Sequence, residues 1–181
     1  MAALFNPLYQ ATSAASNDNP SSYLHTWNGT IAPSQALTND TRRIISDAKR
    51  QGIRLARPSD ARCKPVVTRT NISLRDKAKA KTKGKDKSGL FILSPGVPDT
   101  GFCRTEGKAY DAVVCAILLR CWHYNRATFQ VSSRRAWENW TEGRRLYFDT
   151  FREEAVMPSG MLDRARIEQR RRLSTLRRRS R

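Results

Sequence analysis

The basic residues of this chain gather into two blocks on either side of a nearly neutral segment, and that segregation decides which part can bury a core. Residues 42–89 hold 16 bases and 4 acids, and residues 159–181 hold 9 bases and 2 acids. Between them, residues 90–158 hold 9 bases and 8 acids and carry most of the large apolar side chains. Residues 1–41 contain two acids and no Lys or Arg. The whole chain carries a formal net charge of +18 over 181 residues. Charge of this size resists compaction and attracts polyanions, whether nucleic acid, an anionic membrane surface or acidic proteins. Only 39% of the residues are apolar, below the usual range of about 45–50%, so part of the chain is left without a core. Arg outnumbers Lys, 25 to 9, and the guanidinium group suits bidentate phosphate contact and stacking on bases.

The N-terminal tract 1–41 is rich in Ser, Asn, Ala, Thr and Pro and reads as a disordered polar tail. Phe5/Tyr9 and Tyr23/Trp27 are aromatic islands in it, read either as short docking motifs or as chance. A helix is expected from about Asn39 to Leu55, with Asn39 or Asp40 as cap and Ile44, Ile45, Ala48 and Leu55 as a weak apolar face. Beyond it, Lys77, Lys79, Lys81, Lys83, Lys85 and Lys87 alternate with small and polar residues. Six lysines on one face of a strand would repel one another, so the run reads as a solvated basic linker.

Residues 90–158 are expected to fold. Leu90–Leu93 is a short apolar run, a strand or an extended packed segment, ended by the turn residues 94–99. From Gly107 to about Tyr124 the chain has helical periodicity, with Tyr110, Val113, Val114, Ile117, Leu118 and Cys121 at i, i+3, i+4 and i+7 spacing. Its opposite side is apolar too, so this helix is either buried or covered by a partner. A second helix is expected after Ser132 or Ser133 as N-cap. Trp137, Trp140, Tyr147, Phe151 and Ala155 mark one face of it, with Phe148 beside them. Gly143 inside it costs about 1 kcal/mol relative to Ala. The expected fold is therefore mainly α: a small helical domain, with at most one short strand, flanked by disordered basic arms. So small a core is marginal alone, and a homodimer or a protein partner would help it.

Candidate chemistry is sparse. Cys103, Cys115, Cys121 and His123 are metal-ligand types at the wrong spacing, since six residues on a helix turn Cys115 and Cys121 to different sides. The four cysteines form no CxxC pair and read as reduced thiols. His25 falls in the polar tail, and Cys115 and His123 face apart on a helix, so no nucleophile–base pair is expected. No glycine-rich phosphate loop follows a strand. The reading is not an enzyme, with no metal and no cofactor. The longest apolar stretch, 109–119, is too short to cross a bilayer, and no signal peptide is expected.

The arms carry the stronger signal. The lysine run, together with Arg170, Arg171, Arg172, Arg177, Arg178 and Arg179, is suited to phosphate contact through counterion release. The same residues are the kind recognised by importin, and the two roles are compatible. Arg171-Arg172-Leu173-Ser174 fits the preference of basophilic kinases, and phosphate on Ser174 would add roughly −2 charge within the arm. Trp137 and Trp140 read as core residues ahead of base-stacking ones.

Three short patches resemble the NP1 nonstructural nuclear protein family of bocaparvoviruses: Gly101-Phe102-Cys103, Trp137-Glu138-Asn139 and Leu146-Tyr147-Phe148. The chain departs from that pattern in lacking dense Arg-Ser repeats, in its basic C-terminus, and in having no CxxC after the aromatic cluster. The resemblance implies a viral accessory protein in the host nucleus. Such a protein regulates splicing and polyadenylation of viral transcripts through RNA, in preference to DNA, and through host RNA-processing proteins. Two other expectations stand beside it: a core or nucleocapsid-like protein that neutralises packaged genome, and a ribosome-associated basic protein.

Overall fold

Period-two alternation, not helical periodicity, organises the start of the folded chain. His25 and Trp27 are buried while Thr26 and Asn28 point away from the core, as a half-buried strand requires. The structure, a computed structural model, describes residues 23–77 and 89–161. In chain order the elements are β1 (Leu24–Thr30), α1 (Gln35–Arg50), β2 (Leu55–Ala56), β3 (Val66–Val67), β4 (Ile72–Asp76), β5 (Leu90–Leu93), β6 (Pro98–Arg104), α2 (Tyr110–Tyr124), β7 (Phe129–Ser133), a 3-10 turn (Trp137–Trp140) and α3 (Thr141–Phe151).

Two antiparallel sheets result. In the first, β1 lies between β6 and β7, with Thr26 opposite Phe102 on one side and Ser132 on the other. In the second, β4 pairs with β2 and β3 along one edge and with β5 along the other, Leu74 facing Phe91. The two sheets meet where Trp27 packs on Phe91, ring centroids 5.2 Å apart.

The mainly α expectation is corrected by this architecture. Helix makes up about 36% and strand about 25% of the described residues, a mixed α/β fold. All strands but Leu90–Leu93 escape a local reading because they run from two to seven residues and because the outer face of the first sheet is mostly polar. The polar tail drawn to residue 41 is corrected as well, since β1 and the first half of α1 fall inside it. Ser34 caps α1, its side chain accepting the Leu37 N–H, five residues earlier than the cap expected at Asn39. Asp40 instead lies inside the helix and pairs with Arg120. Ser132 and Ser133 are strand residues of β7 and cap no helix; the following helix starts at Thr141, after the 3-10 turn.

α2 is the centre of the fold. Every residue from Tyr110 to Leu119 is buried, as are Cys121 and Trp122. The alternatives open for its all-apolar surface resolve within the chain. One side meets the first sheet through Asp111 and Cys115. Arg120, nine residues after Asp111 and so about 180° around the axis, meets α1 and α3. Gly143 lets α3 approach closely, because a Cβ there would lie 2.3 Å from Cys115 Cβ.

Candidate functional site

The densest polar cluster in the core joins β1 to the first turn of α2. His25 is fully buried, and its Nε2 donates to Asp111 Oδ1 at 2.7 Å. Asp111 also accepts from the Thr105 hydroxyl and from Arg135 Nη1 at 3.3 Å. Burial opposes a charge on this carboxyl, yet the hydrogen bonds from His25 and Thr105 and the charge of Arg135 hold it below its ordinary value of 3.8. Cys115 Sγ lies 3.9 Å from His25 Nε2 and 3.8 Å from Asp111 Oδ2. Trp140 meets the imidazole edge-on, centroids 5.0 Å apart. Beside the cluster, a cavity of about 330 Å³ is lined by Asp111, Arg135, Trp140, Tyr23, Glu138 and Glu142 among others.

Two chemistries can be tested on this geometry. A thiol–imidazole–carboxylate relay needs the thiol and the carboxylate at opposite ring nitrogens. Here both approach Nε2, and Nδ1 is buried with no hydrogen-bond partner. Burial also pushes the Cys115 thiol well above its ordinary value, the reverse of nucleophile activation. Metal binding has more in its favour, since donor atoms of His25, Asp111 and Cys115 lie within 4.8 Å of one another. Against it, the Arg135 guanidinium already occupies the carboxylate, and a second cation there would meet direct repulsion. What the arrangement does well is tie β1 to α2 through a buried, charge-compensated carboxylate.

His25 is the residue sequence reasoning missed. Composition places it in the polar tail; the signal that finds it is the alternation of His25 and Trp27 with Thr26 and Asn28. The other metal-ligand types do not converge. Cys103 Sγ bonds Tyr110 Oη at 2.7 Å, and burial pushes that thiol up to about 12. Cys121 is buried, His123 is partly exposed, and all four cysteines are free thiols.

The proposed core face is largely core. Tyr110, Val113, Val114, Ile117, Leu118, Trp140 and Tyr147 are buried, whereas Trp137 and Phe151 are partly buried against them. Phe148 departs from the set at 39% exposed. Of the proposed nucleic-acid and import residues, Lys77 is exposed just after β4. Lys79, Lys81, Lys83, Lys85, Lys87, the two arginine triplets and Ser174 lie outside the described residues. The patches behind the NP1 resemblance fall on β6, on the 3-10 turn and in α3.

The basic block at 42–77, expected as one helix followed by linker, is instead folded surface throughout. It holds 11 bases and 3 acids, and every base except Arg75 is exposed. Arg42, Arg43, Lys49 and Arg50 cover the solvent side of α1, while Arg54, Arg57, Arg62, Lys64 and Arg69 follow on the segments between the short strands. Among the described residues no helix is long and apolar enough to cross a membrane. Compared with protein-family models, curated proteins and solved structures, the chain matches none.

Proposed function

We propose that this chain is a non-catalytic nucleic-acid-binding protein, with RNA the favoured ligand. The observation that carries the reading is the exposed basic surface of α1 and the β2–β4 region. Part of its charge is used internally, in the Arg43–Asp40 and Arg50–Asp47 pairs, but 11 bases against 3 acids over residues 42–77 leave an excess of positive charge for an external polyanion. The arms add to that charge, with six lysines at 77–87 and seven arginines at 170–181. By its resemblance to the NP1 family, the reading extends to a viral accessory protein that enters the host nucleus through importin and regulates RNA processing with host factors.

The test is the salt dependence of binding between the full chain and a short single-stranded RNA. Each phosphate neutralised adds about 0.7 to the slope of log affinity against log salt. Changing Arg42, Lys49, Arg54 and Arg57 to Gln is expected to flatten that slope by one to a few such increments, and changing both arginine triplets to Ala by more. Absence of binding at low salt, or a slope that neither variant changes, overturns the reading.

A further inference from the structure

The first sheet presents its outer face to solvent as a grid of side chains. Pleating turns His25, Trp27, Cys103, Val131 and Ser133 toward the core, and their neighbours outward. The middle row of the outer face is Phe102, Thr26 and Ser132, the two hydroxyls 3.1 Å apart. On one side lie Thr100, Asn28 and Gln130, with the Thr100 hydroxyl donating to Asn28 Oδ1 at 3.0 Å. On the other side Leu24 lies between Arg104 and Arg134. No acid stands in the grid. Phe102 is 62% exposed, more than any other large apolar side chain among the described residues.

The chain's strongest charge joins the fold at the two edges of this sheet. Gly89, the first described residue after the lysine run, donates its N–H to Arg104 O on β6 at 2.8 Å. Gly160, just before the arginine-rich C-terminal stretch, packs on Val131 and Ser132 of β7.

We propose that this face is a platform for single-stranded nucleic acid, resting on the nucleic-acid reading above. One base stacks on the Phe102 ring, the hydroxyl and amide side chains beside it meet base edges, and Arg104 and Arg134 take phosphate. An aromatic ring standing free on a sheet can stack an unpaired base, whereas a duplex hides its base faces. Charge argues against a second copy as the occupant, since stacking two such faces brings together two +18 chains with no acid in either grid. The bases on α1 lie on the opposite side of α2, so stacking and general phosphate attraction can be separated by mutation.

The experiment is a fluorescence-anisotropy titration of the full chain with a short oligo-uridylate, and with a duplex RNA of equal length, at several salt concentrations. Phe102→Ala is expected to weaken single-strand binding roughly 5- to 150-fold, the range for one stacked base, with duplex binding and salt slope unchanged. Phe102→Leu, which keeps apolar bulk and removes the ring, gives the same loss, and Phe102→Trp restores binding. All three variants should keep the wild-type melting temperature. Wild-type affinity in Phe102→Ala and Phe102→Leu overturns the platform and leaves the nucleic-acid reading standing. Unchanged affinity with lost self-association assigns the face to a second copy and also overturns it. Failure of the wild-type chain to bind either RNA at low salt removes both readings.

Discussion

His25 Nε2 lies 2.7 Å from Asp111 Oδ1 across 86 residues of sequence, and the pair fixes the central strand of one sheet to the first turn of the central helix. Three donors share that carboxylate, so its loss leaves the partly buried Arg135 without this counter-charge.

Replacing Asp111 by Asn is therefore expected to cost about 3–5 kcal/mol, the range for breaking a buried ion pair from one side. The pH dependence has a definite sign. The folded carboxyl titrates below its unfolded value of 3.8, so its contribution is fully present above about pH 4 and is lost as pH falls through the depressed folded value. Urea unfolding from pH 7 to pH 3 should show a falling stability limb in wild type that is shallower in Asp111→Asn.

Gly143→Ala is expected to destabilise the protein by about 1–3 kcal/mol, the cost of overpacking a tight contact. Helix propensity alone predicts the opposite, a gain of about 1 kcal/mol. The added methyl would lie 2.3 Å from Cys115 Cβ, so α2 and α3 must separate. Thermal melts of the two proteins decide between these signs.

The two neighbouring tryptophans are not equivalent. Trp140 is buried against His25, and its change to Ala should cost about 3–5 kcal/mol. Trp137 is partly exposed, covered by the Arg144 guanidinium 4.6 Å from its ring, and the same change there should cost less than half as much. Equal losses in denaturant unfolding would contradict this placement.

Arg120 joins three helical elements by bonding Asp40, Tyr147 and Glu153. Arg120→Ala is expected to cost about 3–5 kcal/mol, because the buried Asp40 keeps only the Tyr124 hydroxyl and the longer Arg43 contact at 3.6 Å. The double change Arg120→Met with Asp40→Leu removes both charges and should recover most of that loss, as equilibrium unfolding can measure.

What the sequence disclosed followed the reach of local signals. Tyr110–Tyr124 was legible because fifteen residues repeat one helical pattern, and Leu90–Leu93 because four apolar residues stand between turn signals. β1 was not, since Asn28, Gly29 and Thr30 give Leu24–Thr30 the composition of a loop and the alternation spans only two inward residues. β2 and β3 are two residues each and exist only through β4. Gly143 looked like a defect until α2 supplied the atom it avoids. The His25 cluster depends on pairings that no local window contains.

The order of the strands has a consequence for how the molecule is made. β1 is the first element of the described chain, yet both its neighbours, β6 and β7, come from the far half. Trp27 waits for Gly101 and for Val131. During synthesis the first sheet therefore cannot close until residues near Ser133 have left the ribosome, and the loop to be closed is among the longest in the fold. Such non-local pairing is slow, and until it happens the edges of β1 stand open to other chains. The same strand that anchors the finished core is, in the nascent protein, its longest-exposed liability.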